Sequence, residues 1–214
     1  MLRVLCLALF LGAPLHSMAQ DLPPPEAGNF KIDLGHTRLL FRVSHLGFSN
    51  YTAFFRDIDA QLAFDPDHPE AMMLLAKIKA ASIETMYPDP SLDFNAVLAG
   101  ADLLDAAKFP EITFTSTAVV LTGENTADVT GDFTLHGVTK PLTLAVVYNG
   151  GYGPVSMDPG GARIGFSATG KLLRSDFGVT MGIPAPGTVF GVGDEVQIII
   201  ETEFQNADAK ASTP

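Results

Sequence analysis

Histidine and carboxylate side chains are the groups in this chain best suited to moving protons or holding metal. Outside a leading segment treated below, the histidines are His36, His45, His68 and His136. No two of them have the i, i+4 or His-x-His spacing that gathers imidazoles round one ion, and no cysteine stands near to complete a set. No metal site is expected. Asp102 and Asp105 read as helix-end and loop carboxylates, not as an acid/base pair. Arg174, Ser175 and Asp176 are consecutive, but no nucleophile elbow or Ser/His/Asp signature surrounds Ser175. The glycine-rich stretch GYGPVSMDPGG, residues 151–161, lies between extended segments and opens no helix, so it is a loop and not a phosphate cradle. The chain is therefore read as a non-enzyme with no catalytic residue and no cofactor.

What the chain does have is alternation. In Phe54–Phe64, Glu111–Leu121, Thr126–Leu135, Arg163–Leu173 and Asp194–Phe204 one parity carries the bulk: Val129, Phe133 and Leu135 in one run, Val196, Ile198, Ile200 and Phe204 in another. Side chains of a strand point alternately to two faces, so such runs are half-buried antiparallel strands. Shorter strands are expected at Phe30–Leu34, Leu39–Leu46, Ala76–Ser82 and Lys140–Asn149, with a turn at Gly35-His36 and a bulge at Phe54-Phe55. Leu92–Ala99 and Ala101–Ala107, rich in Ala and Leu and divided by Gly100, read as two short helices that Pro110 stops. The fold class is all-β, mainly antiparallel: an up-and-down barrel with one or two short helices at one end. Such connections alternate between barrel ends. Gly47–Ala53, Ser82–Pro110, His136–Thr139 and Arg174–Gly193 then share one end, where an entrance is expected. A barrel of about eight strands is wide enough to hold one apolar ligand or to be filled by its own side chains.

The chain starts with Arg3, an apolar stretch Val4–Leu15 and the small-x-small Ser17-Met18-Ala19, which together read as a secretory signal peptide cleaved after Ala19. Residues 20–28 form a Pro-rich leader, 29–205 the barrel domain and 206–214 a loose tail. Cys6 falls in the leading segment, so the mature chain has no disulfide and must be stabilised by burial. With 24 acidic residues against 12 basic ones left after cleavage, the mature charge is −12 (24 against 12). Phosphate backbones repel such a chain, so nucleic acid is excluded as a partner, and a lasting hold on an anionic membrane surface is disfavoured.

Four stretches, FRVSHLGFS (Phe41–Ser49), DLLDAAKFPEITFTST (Asp102–Thr117), GDFTLHGVTKPLTL (Gly131–Leu144) and LRSDFGV (Leu173–Val179), occur in an order and spacing that resembles the YceI-like family of polyisoprenoid-binding proteins. Ala53 departs from the pattern, standing where a glycine commonly precedes the next strand. The resemblance implies a lipocalin-like eight-stranded barrel around an elongated apolar pocket. It also implies polyisoprenoid or isoprenoid-quinone tails as ligands, and a periplasmic address.

On that reading the lumen-facing, ligand-binding residues are Phe41, Val43, His45, Phe55, Ile58, Phe64, Ile112, Phe114, Val129, Phe133, Leu144, Val146, Phe166, Ala168, Phe177, Ile198 and Ile200. Ala60, Gly131, Ala168 and Gly170 are expected to leave space among the bulky ones. His45 is placed either to hydrogen-bond a quinone carbonyl or head group, or to be satisfied by loop backbone. Arg174 either pairs with Asp176 to organise its loop or meets an anionic head group. His136, before Gly137, is expected to be structural. Three functions stay open. One is a periplasmic carrier of a long-chain isoprenoid amphiphile. The others are an enzyme or respiratory-chain accessory acting on such a lipid, and a filled barrel serving as a protein-interaction module. Transient contact with a membrane or a respiratory membrane protein is compatible with the first two. The sequence leaves the oligomeric state unset.

Overall fold

The computed structural model describes residues 22–209. The expected signal peptide, its cleavage after Ala19 and the last five residues of the tail lie outside them. Ten strands form one antiparallel sheet: β1 (Gly28–His45), β2 (Ser49–Phe55), β3 (Ile58–Phe64), β4 (Met73–Lys79), β5 (Ile83–Glu84), β6 (Glu111–Gly123), β7 (Thr126–Leu135), β8 (Val138–Tyr152), β9 (Ala162–Leu173) and β10 (Val192–Asn206). The spatial order is β10-β9-β8-β7-β6-β4-β3-β1-β2-β5, and pairing of β10 with β1 closes it. β3 pairs with the first part of β1 and β2 with the second, so these two are halves of one stave. β5 continues the line of β4 beside β2. The result is a closed eight-stave barrel of lipocalin-like form, with its edges abolished by closure.

The expected break inside the long second stave is real but sits two residues later than the Phe54-Phe55 pair. Arg56 and Asp57 are its unpaired residues. The amide of Arg56 donates to the Ser82 carbonyl at 3.1 Å, and that of Asp57 donates to Ser82 Oγ at 3.1 Å. Ser82 Oγ in turn donates to Lys79 O at 2.7 Å, and the Lys79 ammonium meets the Asp57 carboxylate. The neighbouring stave kinks at the same level, as a 3-10 turn over Ala80–Ser82, so β4 spans Met73–Lys79 and not Ala76–Ser82. The two kinks satisfy each other's backbone.

Three further expectations are corrected. Phe30–Leu34 and Leu39–Leu46 are one strand, β1. The Gly35-His36 turn is only an irregularity in its register with β10, between Asp33 and Arg38. Ala53 is not in a loop but within β2, buried opposite Phe41, and the connection at that point is just residues 46–48. A single short helix, α1 (Phe94–Ala99), forms in the long crossing, capped by Asp93 Oδ1 accepting from the Ala96 amide at 3.0 Å. Residues 101–107 are turns. Their amides fold back on α1, Leu104 to Leu98 O at 3.1 Å and Ala106 to Ala99 O at 2.9 Å, and Asp105 takes a left-handed φ of 43°. A continuing helix would have bonded them four residues back, to Gly100 and Asp102.

The β1 irregularity is clamped from outside by Arg163 on β9, whose guanidinium donates to Asp33 on β1, Glu203 on β10 and Asp158 in the β8–β9 loop. Tyr152 OH also donates to Asp158, at 2.8 Å. The carboxyl of Asp33 is held down to about 2, first by the His36 hydrogen bond and then, against partial burial, by Arg163. That of Asp158 is held at about 2 by Arg163, the Gly160 amide and Tyr152. An unfolded aspartate titrates near 3.9. Both groups therefore contribute stability that is fully present above about pH 4 and is lost as pH falls towards 2. Arg163→Gln is expected to lower stability at pH 7 by roughly 2 kcal/mol, the scale of charge-assisted hydrogen bonds lost. It should also flatten the fall in Tm between pH 4 and 2. Calorimetry across that range checks it, and an unchanged acid slope in the variant would refute the clamp.

Candidate functional site

The staves surround a cavity of about 970 Å³. That is near the top of the range of about 300–1,000 Å³ for small-molecule pockets. Strand parity builds its wall. Phe41, Val43 and His45 come from β1, Phe55 from β2, Ile58 and Phe64 from β3, Ile112 and Phe114 from β6, Val129 and Phe133 from β7, Leu144 and Val146 from β8, Phe166 and Ala168 from β9, and Ile198 and Ile200 from β10. Of the expected set only Phe177 is off the wall. It belongs to the 3-10 turn Arg174–Phe177, and its buried ring stands edge-on to Phe133 at 5.4 Å, supporting the wall from the loop side.

The glycines do not provide the space expected of them. A Cβ on Gly131 would lie 2.5 Å from Phe114 Cζ, and one on Gly170 would lie 2.6 Å from Leu144 Cδ2, so these gaps seat neighbouring side chains. Ala60 and Ala168 line the lumen as expected, and Ala76 joins them. Leu98, Leu103 and Leu104 of the long crossing, with Tyr87 and Phe94, also reach the cavity. The sequence held no periodic signal for these, since they stand in a loop and one helical turn. At the opposite end a layer of rings packs β1, β3, β8, β9 and β10 together: Phe30 on Phe64 at 5.4 Å, Phe64 on Tyr148 at 6.2 Å, Tyr148 on Phe166 at 5.4 Å and Phe166 on Phe204 at 6.2 Å. The lining still reaches Pro66, Pro69 and Glu124 at that end.

Polar groups inside the wall are satisfied by the protein. Thr37 and Thr202 hydroxyls bond each other at 2.9 Å, Ser116 Oγ accepts from the Leu74 amide at 2.8 Å, and Tyr51 OH donates to Thr85 O at 3.3 Å. Burial alone raises the Tyr148 phenol, which keeps it neutral. Among the described residues no buried side-chain nitrogen or oxygen lacks a partner. His136, at φ 52°, places Nδ1 3.2 Å from Phe177 O, and its ring lies 4.7 Å from Phe109. It ties two loops together. Asp33, His36 and Glu203 have ligand atoms within 4.8 Å of one another, but the cluster lies outside the lumen and the Arg163 guanidinium already bonds two of its carboxylates.

Arg174 is buried and does not pair with Asp176. Nε donates to Gly193 O at 2.9 Å, Nη1 to Val179 O at 3.1 Å and Met181 O at 2.8 Å, and Nη2 to Val192 O at 2.7 Å. Asp176 bonds Lys140 instead, and Asp194 holds the Ser175 amide and hydroxyl. Desolvation pushes the Arg174 pKa down, with Asp194 opposing. One guanidinium thus gathers both feet of the loop between β9 and β10 while touching the cavity. His45 lines the cavity at the same end.

A closed antiparallel barrel of eight staves around one apolar, elongated lumen defines a lipocalin-like binding barrel. The chain belongs to the YceI-like family, whose domain model matches residues 30–204. It is 42% identical over 182 residues to a UPF0312 protein of Pseudomonas putida (strain W619), covering 84% of this chain and 88% of that one. Among solved structures it is similar to Burkholderia cenocepacia BcnA, with TM-score 0.67 and 27% identity over 80% of this chain and 98% of that one. It is also similar to the Campylobacter jejuni YCEI protein, with TM-score 0.60 and 30% identity over 76% and 89% of the two chains. A polyisoprenoid-binding domain from Saccharophagus degradans shares the fold at TM-score 0.55 and 14% identity, covering 82% of this chain and 97% of that one.

Proposed function

We propose that this protein is a periplasmic carrier for an amphiphile with a long polyisoprenoid tail, a prenyl lipid or an isoprenoid quinone, exported after loss of residues 1–19. The observation that carries the reading is the apolar lumen of about 970 Å³ running the length of the barrel. A tail that hides on the order of 400 Å² of apolar surface there is stabilised by roughly 10 kcal/mol relative to water, before the costs of association. His45 and Arg174 mark the end for the head group. Binding and release need no chemistry.

One experiment addresses cargo and address together. Protein recovered from the periplasm without detergent is weighed intact, and its organic extract is analysed by mass spectrometry. A chain beginning at Gln20 with a near-stoichiometric isoprenoid in the extract is expected. A chain that starts at Met1 in the membrane fraction defeats the address, and an extract without isoprenoid defeats the cargo.

A further inference from the structure

Charge is unevenly spread over the connections: the long crossing at the His45 end carries Glu84, Asp89, Asp93, Asp102 and Asp105, whereas the two loops beside His45 carry none. At the end away from His45, the connecting segments carry Asp65, Asp67, Glu70, Glu124 and Asp158. At the His45 end, residues 46–55 and 177–193 contain no charged side chain, in a chain with 24 acidic and 13 basic residues. These two segments abut. The Leu46 amide donates to Gly191 O at 2.8 Å, and a Cβ on Gly47 would lie 3.2 Å from Val189 Cβ. From this uncharged tip four apolar side chains stand in solvent: Phe48 is 80% exposed, Phe190 78%, Val189 56% and Met181 47%. None of the four lines the lumen, whereas His45, Val179 and Val192 at the bases of the same loops do.

We propose that this tip docks on the surface of an electrically neutral lipid bilayer, with Phe48 and Phe190 inserted at the interface, so that the mouth of the lumen faces the lipid it loads from. The proposal rests on the carrier reading. A fluid bilayer needs only apolar reach and the absence of charges that insertion would desolvate, and both hold here. A protein partner would need a shaped recess to receive the two rings, whereas here both rings stand out in solvent from a loop tip and neither lines the lumen. The net charge of −11 selects neutral over anionic lipid, with repulsion that salt screens.

The chain contains no tryptophan, so one introduced indole reports its own surroundings. Phe48→Trp and Phe190→Trp are each mixed with phosphatidylcholine vesicles, alongside Val120→Trp, which replaces an exposed side chain on β6 beyond its pairing with β4. The first two are expected to shift their emission to the blue and to be quenched by brominated acyl chains, and the third is not. Replacing half the lipid by phosphatidylglycerol should weaken the shift at low salt. The double variant Phe48→Asp, Phe190→Asp should lose vesicle binding about tenfold or more, the scale of two interfacial aromatic contacts, and keep its extractable lipid. Three results overturn the docking surface: no shift at either position, a shift that grows with protein concentration in the absence of vesicles (a second copy), or a shift only with vesicles that carry a membrane protein. If isoprenoid is extracted from protein whose indoles do not shift, docking fails and the carrier stands. If the indoles shift on protein with an empty lumen, the carrier fails and docking stands.

Discussion

Arg174→Met is expected to lower the free energy of unfolding by roughly 3 kcal/mol and to release the β9–β10 loop while the barrel stays paired. The methionine keeps the apolar stem and removes every donor. Four carbonyls, those of Val179, Met181, Val192 and Gly193, lose their partner at once. A buried acceptor left unpaired costs about 1–3 kcal/mol, and those nearest the surface recover much of this from water, which sets the total. Arg174→Lys should recover only a small part. An ammonium is a compact charge with three donors, and it cannot span both feet of a loop as a planar fork does. Chemical denaturation gives the stability, and hydrogen exchange in residues 178–193 gives the loop. Wild-type protection of that segment in the methionine variant would show that the loop is held by something other than Arg174. The same variant should release bound lipid faster, because loops that open locally at low cost govern exchange with a buried site.

The wall of the lumen was legible because a strand has period two. Val129 and Phe133, or Ile198 and Ile200, reveal their face by spacing alone, and every strand residue expected on the wall lies there. Parity is a local property, and it failed where a non-local partner decided. Arg56 and Asp57 leave their stave because Ser82, in the next one, bonds both of their amides, and nothing near them in sequence signals it. Gly35-His36 looked like a turn, yet β1 runs through it because both of its edges are paired along most of its length and Arg163 clamps the irregular stretch from outside. Phe177 was grouped with the wall for its apolar character, but its direction is set by a 3-10 turn closed by Gly178 at φ 78°. Leu98, Leu103 and Leu104 reach the cavity through a fold-back on α1 that has no period to read. Arg174 does not make the expected pair with Asp176. An Arg followed by an Asp invites an ion pair, but the loop's own carbonyls surround the guanidinium and Lys140 takes the carboxylate.

Ala168→Phe is expected to abolish retention of lipid without loss of stability. Ala168 lies on β9 between Val146 on β8 and Ile200 on β10, in register with both, and all three line the lumen. If the lumen is a cavity held open for a tail, the added ring enters space that is otherwise occupied by ligand. Its burial then contributes roughly 1–2 kcal/mol to the lipid-free protein. If the barrel is instead filled by its own side chains in solution, the same ring overpacks it and costs about 1–3 kcal/mol. The sign of the stability change therefore separates a carrier from a filled interaction module. Ala145→Phe on β8, whose side chain faces solvent, is the control and should leave both stability and lipid unchanged. Phe114→Asp is a poor substitute for this test. An unpaired carboxylate in an apolar wall costs several kcal/mol, so loss of lipid and loss of fold would arrive together. Undiminished isoprenoid in the extract of a stably folded Ala168→Phe protein would place the tail away from the β8–β9–β10 wall, and with it the head group away from Arg174.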